Sequence, residues 1–305
     1  MTASRLSGLN HQSDLARRFA RVRAQSLALA APLSAEDCQL QSMPDASPVK
    51  WHLAHTTWFF ETFVLAAQDP RYRAVDPAYR VLFNSYYVGI GERAPRAERG
   101  LMSRPSLDEV LRYREIVDAR IVEVLQAGRC SEALLDVLLL GLHHEQQHQE
   151  LIVTDLKHHL SRNPLSPVYR PAPAQGGAAD AELRWLSFDA GVEAIGHDGE
   201  GFAFDNEGPR HPVQLAAFES ADRLVTCGEY LDFIADGGYR RPALWLSDGW
   251  AAVQAQGWTA PAYWLAPGDE RAPCDGWQVF GLEGVQPLDP AVPVMQLSFY
   301  EAAAY

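Results

Sequence analysis

The chain has 305 residues, of which 47% are hydrophobic and 21% charged, the balance of a globular protein large enough for two domains. A net charge of −13 argues against a nucleic-acid partner, and the lack of long apolar runs predicts neither a membrane span nor a secretion signal. Four scattered cysteines without a C-x-x-C pair exclude a thiolate zinc site and favour a cytoplasmic protein with reduced thiols.

Four helices are predicted in the first half of the chain. Apolar residues recur at helical spacing in residues 11–30, and a second helix, 48–68, begins with a proline and is apolar around most of its circumference. The third helix starts with a capping box at Ser106, and the fourth spans about 131–159. We therefore expect a four-helix bundle over residues 1–162, a fold that builds metal sites between facing helices.

An irregular segment, 69–105, separates the second and third helices. It carries tyrosines, glycines and three closely spaced arginines: Arg93, Arg96 and Arg99. Loops of this length are commonly functional, and the guanidinium group suits the recognition of a carboxylate. The alternative is that these arginines are solvated surface charges.

The sequence changes character after the fourth helix. Residues 163–182 are rich in proline and glycine and predict a linker. From 183 to 305, short apolar pieces such as 183–188 and 213–218 alternate with glycine, aspartate and proline, and one short helix is predicted at 225–236. We expect a loop-rich α+β domain there, so the chain should combine an α domain with an α+β domain.

The fourth helix carries a candidate metal site. His144 and His148 are four positions apart, which places both imidazoles on one helix face within reach of a single ion. Two imidazoles do not complete a coordination shell, and the best distant candidates for a third ligand are His52 and His55 in the second helix. Because these two are three positions apart in a helix that should be buried, we expect only one of them to point at the site.

Two kinds of metal site fit this motif. The run from His144 to His148 reads H-E-Q-Q-H, the pattern of zinc proteases, in which Glu145 would be the general base. The bundle context and the lack of a third histidine at the spacing of the extended protease motif argue against a protease. Three neutral histidines would instead form a non-haem iron site, whose charge favours a thiolate substrate and which leaves room for O2.

Longer motifs resemble a known family. Residues 47–61, with the sequence SPVKWHLAHTTWFFE, and 144–150, with HEQQHQE, look like the DinB-like domain of the ergothioneine-biosynthesis sulfoxide synthases. The second half is similar to that family's C-type-lectin-like domain of the formylglycine-generating-enzyme (sulfatase-modifying-factor) type in four segments: 201–211, 236–239, 244–250 and 261–264. The resemblance covers nearly the whole chain, with the motifs in the family's order.

The resemblance implies an enzyme with one non-haem Fe(II) that uses O2. Such enzymes join a cysteine-type thiol to C2 of the imidazole of hercynine (N-α-trimethylhistidine) and oxidise the product to a sulfoxide. The implied iron ligands are His55, His144 and His148, because the Leu-Ala-His element of the family matches His55 rather than His52. Glu145 is then structural rather than a protease base.

The resemblance also implies residues that bind the substrates. Gln147 matches a residue that lines the hercynine pocket. Arg96 and Arg99 fall where some members bind the carboxylate of γ-glutamylcysteine, and cysteine is the alternative thiol donor. Family members continue beyond the position of Tyr305 with the rest of the second domain, including a tyrosine near the iron. We therefore expect 183–305 to be a partial domain and assign no catalytic residue within it.

Two other functions stay open on the sequence alone. One is a DinB-like thiol transferase, which would use zinc or nickel to activate a thiol for substitution without oxidation. The other is a binding module that keeps the bundle and lacks a complete active site. Consumption of O2 separates an oxygenase from a transferase, and binding of substrate without turnover identifies a binding module.

Overall fold

The computed structural model describes residues 2–85, 87, 89, 91–128, 130–171 and 182–305, with side chains from residue 12 onward. These residues form two compact units, which are described separately. The first comprises Met1–Pro171 and Phe280–Gln286, and the second comprises Ala172–Val279 and Pro287–Tyr305. Most of the predicted linker, residues 172–181, lies outside the described residues. A helix able to span a membrane is absent from the described part of the chain.

Four long helices build the first unit, as predicted. They are α1 (Thr2–Ala30), α2 (Val49–Phe60), α5 (Leu107–Gln126) and α6 (Glu132–Ser161). Both α1 and α2 contact α5 and α6, so the apolar faces of the four helices close into one core. The connecting loops carry shorter pieces: 3-10 helices at Asp37–Gln39 and Arg96–Leu101, and helical turns α3 (Ala66–Gln68) and α4 (Tyr79–Leu82).

Helix α2 lies at the centre of this bundle, and all 12 of its residues are buried. The helix predicted over 48–68 is confirmed from Val49 to Gln68, but it contains a π-helical turn at Glu61–Leu65 that was not predicted. The buried carboxylate of Glu61 accepts hydrogen bonds from the hydroxyls of Tyr72 (2.9 Å) and Tyr113 (2.6 Å). Helical periodicity gives no signal for this π-turn, because α2 is buried on all sides and has no apolar stripe that would reveal a shift in phase.

Side-chain caps define the ends of the other helices. The hydroxyl of Ser106 accepts a hydrogen bond from the backbone N–H of Glu109 (3.2 Å), and the Glu109 carboxylate accepts one from the N–H of Ser106 (2.6 Å). This geometry confirms the predicted capping box. Ser131 caps α6 through the N–H of Leu134 (3.2 Å). Gly128 follows α5 with a φ of 65°, a conformation that favours glycine.

Gly141 allows α6 to approach α2 closely. A Cβ atom at this position would lie 2.5 Å from a ring carbon of Phe60 and 2.8 Å from one of Phe59. We expect Gly141→Val to lower the free energy of unfolding by about 1–3 kcal/mol, the cost of overpacking a filled core. The exposed neighbour Gln146 supplies the control in the same urea titration, because Gln146→Val should cost less than about 0.7 kcal/mol, the range of ordinary helix propensities. Equal costs would contradict a close approach at Gly141.

Short antiparallel strands provide the β structure of the remaining chain. Strand β1 (Trp185–Phe188) pairs with β4 (Phe218–Ala221), and β2 (Gly191–Ile195) pairs with β3 (His211–Leu215). Strand β5 (Trp264–Leu265) pairs with Gln278 and Val279 of β6 (Gln278–Gly281), and β7 is Gly284–Pro287. The apolar piece at 183–188 contains β1. The piece at 213–218 contains the end of β3 and the first residue of β4, separated by Ala216 and Ala217.

Three helices of the second unit are α7 (Cys227–Ala235), α8 (Ser247–Gln256) and α9 (Phe299–Ala304). The prediction at 225–236 is confirmed by α7, but the expectation of a single helix is wrong. Helix α8 contains Gly249, whose Cβ would lie 2.6 Å from the Cβ of Tyr300, so glycine permits close contact between α8 and α9. A helix with a glycine and a tryptophan in its first turn has a weak sequence signal when this contact is unknown. The predicted order of an α region followed by an α+β region is confirmed.

Candidate metal centre

Three imidazoles from two helices converge in the first unit. His55 comes from α2, and His144 and His148 lie one turn apart on α6. The Nε2 atom of His144 lies 3.2 Å from Nε2 of His55 and 3.1 Å from Nε2 of His148. The three candidate ligand atoms all lie within 4.8 Å of one another. The structure therefore brings together the three residues that the sequence motifs proposed as ligands, and a single ion would fit between them.

The backbone and two indoles orient the ring of His55. Its Nδ1 lies 2.5 Å from the carbonyl oxygen of Phe83. A carbonyl only accepts hydrogen bonds, so Nδ1 carries the proton and Nε2 presents its lone pair to the other two histidines. Trp51 and Trp58 stack on the imidazole, with ring centroids 4.6 and 5.7 Å away. This ring is therefore held in both its tautomer and its orientation.

The outer nitrogens of the other two imidazoles differ in their surroundings. Nδ1 of His148 lies 2.8 Å from Nδ1 of His52, whose Nε2 lies 3.1 Å from a carboxylate oxygen of Asp155. Nδ1 of His144 is buried and has no hydrogen-bond partner among the described residues. His52, the alternative third ligand considered from sequence, therefore lies behind His148 and outside the group of three.

Burial keeps all three imidazoles neutral. It is the main cause that lowers the pKa of His144 to about 4. Burial, followed by the neighbouring imidazoles, lowers the pKa of His55 and of His148 well below the usual value. Neutral imidazole is the form that binds a metal. Three such nitrogen donors without a thiolate suit iron, and also zinc, copper or nickel, so the residues fit the ion that the motifs imply.

Glu145, the base of the protease alternative, belongs to the core of the bundle instead. Its side chain is fully buried, and its two oxygens accept hydrogen bonds from Arg23 (2.9 Å), Arg114 (2.9 Å) and Ser26 (2.6 Å). Burial alone would raise the pKa of this carboxyl, but the two guanidinium groups bring it down to about 2. A carboxylate occupied in this way is a poor proton acceptor for a metal-bound group, so the structure contradicts the protease mechanism.

A cavity of about 400 Å³ opens beside the triad. The three histidines line it together with the three residues proposed to bind substrates, which are Gln147, Arg96 and Arg99. The guanidinium of Arg99 lies 3.4 Å above the ring of Trp51 and donates hydrogen bonds to the hydroxyls of Ser47 (2.9 Å) and Ser85 (3.1 Å). Arg96 donates to the carbonyl of Asp45. All six residues proposed from sequence thus face one space.

Comparison with known proteins identifies relatives of both halves of the chain. The DinB superfamily model matches residues 18–152, and the Sulfatase-modifying factor enzyme 1-like domain matches residues 183–305. The chain is 30% identical over 302 residues to a hercynine oxygenase of Mycolicibacterium thermoresistibile and 32% identical over 293 residues to one of Mycobacterium tuberculosis. These alignments cover 97% and 96% of the chain. The chain thus has a DinB-like region followed by a sulfatase-modifying-factor-like region, and it is similar to hercynine oxygenases over nearly its whole length.

The chain spans less than two thirds of the length of these relatives, 62% of the first and 65% of the second. Ergothioneine biosynthesis protein 1 of Neurospora crassa is 26% identical over 158 residues, which is 46% of the chain and 18% of that protein. The family resemblance drawn from the motifs is confirmed by these matches.

Sequence reasoning missed the contacts that support the triad. Asp155 lies seven positions after His148, which is about two helical turns further along the same face. From that spacing, an acidic side chain near His148 could have been predicted. The stacking of Trp51 on His55 had a similar signal, because residues four positions apart meet on a helix surface. The contact between His52 and His148 could not be predicted in this way, because it joins two helices whose packing the sequence does not give.

Proposed function

We propose that the chain is a non-haem Fe(II) oxygenase that uses O2 to join a cysteine-type thiol to C2 of the hercynine imidazole, with oxidation to the sulfoxide. The observation that carries the proposal is the convergence of three imidazole nitrogens within 4.8 Å of one another beside a cavity. The names of the bacterial relatives support hercynine as one of the substrates.

His55, His144 and His148 would hold the iron, and their surroundings would keep them in place. Fe(II) held by these three residues would supply the redox chemistry that the reaction of a thiol with O2 requires. By accepting a hydrogen bond from Nδ1–H of His55, the carbonyl of Phe83 would keep the Nε2 lone pair directed at the ion. The indole of Trp51, stacked on the same ring, excludes water from that side of the site.

The cavity residues would position the two organic substrates. Gln147 immediately precedes His148 and lines the cavity, so its amide is placed to hydrogen-bond hercynine. Arg99 is only 6% exposed, and its guanidinium is fixed against Trp51, which makes it a preorganised partner for the carboxylate of cysteine or γ-glutamylcysteine. Arg96 lines the same space and offers a second cation. We infer that the thiol substrate lies between these arginines and the triad.

Oxygen uptake tests this function. The Fe(II)-loaded chain would be incubated anaerobically with hercynine and with either cysteine or γ-glutamylcysteine, and then mixed with buffer that contains O2. We expect O2 consumption that requires both substrates, and a product in which sulfur is bonded to C2 of the imidazole. A sulfur-linked product formed without O2 would identify a thiol transferase. Calorimetric binding of hercynine without any product would identify a binding module.

A further inference from the structure

A pair of buried polar side chains stands directly behind His148. His52 and Asp155 are 2% and 7% exposed. Nδ1 of His52 lies 2.8 Å from Nδ1 of His148, and Nε2 of His52 lies 3.1 Å from Oδ2 of Asp155. The same Oδ2 accepts a hydrogen bond from the backbone N–H of Ser47 at 2.8 Å, which fixes the carboxylate at the start of α2. Asp155, His52 and His148 therefore form a continuous series of hydrogen bonds that ends at the triad.

The donor and acceptor roles in this series of hydrogen bonds follow from the carboxylate of Asp155. An ionised carboxylate only accepts, so the proton between His52 and Asp155 belongs to Nε2 of His52. Nδ1 of a neutral His52 is then an acceptor. The proton between the two Nδ1 atoms must therefore belong to His148. With Nδ1 protonated, Nε2 of His148 carries a lone pair, and this is the nitrogen that faces His144 at 3.1 Å.

We infer that His52 and Asp155 are positioning residues that set the tautomer of His148, so that its Nε2 is ready to bind a metal ion. The inference rests on the metal site of the proposed function and adds two residues to it. The opposite tautomer, with the proton on Nε2, would direct an N–H group at the ion and prevent coordination. Hydrogen-bond partners of metal-binding histidines commonly have this role.

Two substitutions at His52 separate the acceptor role from simple packing. In His52→Asn the amide oxygen occupies the place of Nδ1, two bonds from Cβ, so it can still accept the proton of His148. In His52→Gln the amide reaches the place of Nε2 and keeps the contact with Asp155, but no acceptor faces His148. We expect His52→Gln to weaken Fe(II) binding by about 10–100-fold and His52→Asn to keep most of the affinity.

Anaerobic Fe(II) titrations of both variants provide the test, and the urea midpoint of each metal-free chain shows that the variant folds. Wild type and His148→Ala are measured alongside. Tight binding by wild type that is lost in His148→Ala establishes the metal site independently. If both His52 variants then bind like wild type, or lose affinity equally, the inference about His52 is overturned and the metal site is not.

The tautomer itself can be measured in the metal-free chain. Long-range 1H–15N correlation spectra distinguish an imidazole protonated on Nδ1 from one protonated on Nε2. We expect His148 to be protonated on Nδ1 in wild type and in His52→Asn, and to lose this preference in His52→Gln and in Asp155→Ala. A wild-type His148 protonated on Nε2 would overturn the inference. In the His52→Asn background, Asp155→Ala should leave the tautomer unchanged, because Asp155 then has no imidazole to orient.

Discussion

Replacing His148 by alanine should weaken Fe(II) binding by more than the roughly 100-fold that loss of a ligand's hydrogen-bond partner can cost. The substitution removes one of three neutral nitrogen donors and leaves His55 and His144, which cannot enclose an ion on three sides. His55→Ala and His144→Ala should have effects of the same order, because each removes one member of the same set. Anaerobic titration with Fe(II), followed by competition with a chelator, measures these affinities.

The matched control for this prediction is His143→Ala. His143 precedes His144 on α6 but is not part of the group of three. Its removal changes the number of imidazoles on the helix and leaves the site intact, so Fe(II) affinity should stay within a few-fold of wild type. Equal losses for His143→Ala and His148→Ala would mean that the ion binds elsewhere on the chain.

Replacing Glu145 by alanine should lower the free energy of unfolding of the first unit by about 3–5 kcal/mol. The carboxylate is the shared partner of Arg23 and Arg114, which are 2% and 1% exposed. Without Glu145, the core contains two guanidinium groups that have lost the carboxylate they share, so their buried positive charge is less well neutralised. Urea denaturation of the metal-free chain at pH 7 measures the loss.

Glu150 gives the control for this substitution, because it lies on the same helix and is exposed. Glu150→Ala should change the free energy of unfolding by less than about 0.5 kcal/mol. Similar losses for the two variants would contradict a buried ion-pair cluster at Glu145. They would also reopen the protease alternative, in which this carboxylate is free to accept a proton.

The contribution of Glu145 to stability should depend on pH. Its pKa in the folded chain is about 2, below the value near 4.3 expected in the unfolded chain, because the attraction of Arg23 and Arg114 outweighs the effect of burial. A lowered folded pKa stabilises the fold above the unfolded pKa, and this stabilisation is lost as the pH falls towards 2. The difference in unfolding free energy between wild type and Glu145→Ala should therefore shrink by about 3 kcal/mol between pH 5 and pH 2.

The bundle could be predicted from sequence because its signals are local. Helical spacing of apolar residues located all four helices, and the capping box at Ser106 fixed the start of α5 to the residue. The pair His144 and His148 is local as well, because a spacing of four positions determines a shared helix face whatever the tertiary structure. These features hold in any fold that keeps the helices intact.

The third ligand could not be selected from sequence patterns alone, and the reason lies in α2. A helix buried on all sides has no apolar stripe, so its pattern does not reveal which face meets α6. His52 and His55 were therefore equal candidates until the family motif favoured one of them. The packing of α2 against α6 then gives each a different place: His55 faces the other two imidazoles, and His52 lies behind His148.

The second unit was predicted less completely because its order depends on contacts between distant segments. Helix α8 contains glycine and tryptophan, and its register depends on the contact of Gly249 with Tyr300, more than fifty positions away. The core of the second unit includes Tyr230, Tyr239 and Trp245. The elements that flank these residues are short and show little periodicity. Helix α7, with its capping box at Thr226, carried a strong local signal.

Diffraction at the iron absorption edge tests the central claim most directly. Crystals of the chain loaded anaerobically with Fe(II) should give one anomalous peak, placed within bonding distance of Nε2 of His55, His144 and His148. Nδ1 of His52 should remain hydrogen-bonded to His148 and should not reach the ion. A peak at another group of residues, or a peak bonded to His52 in place of His55, would contradict the account.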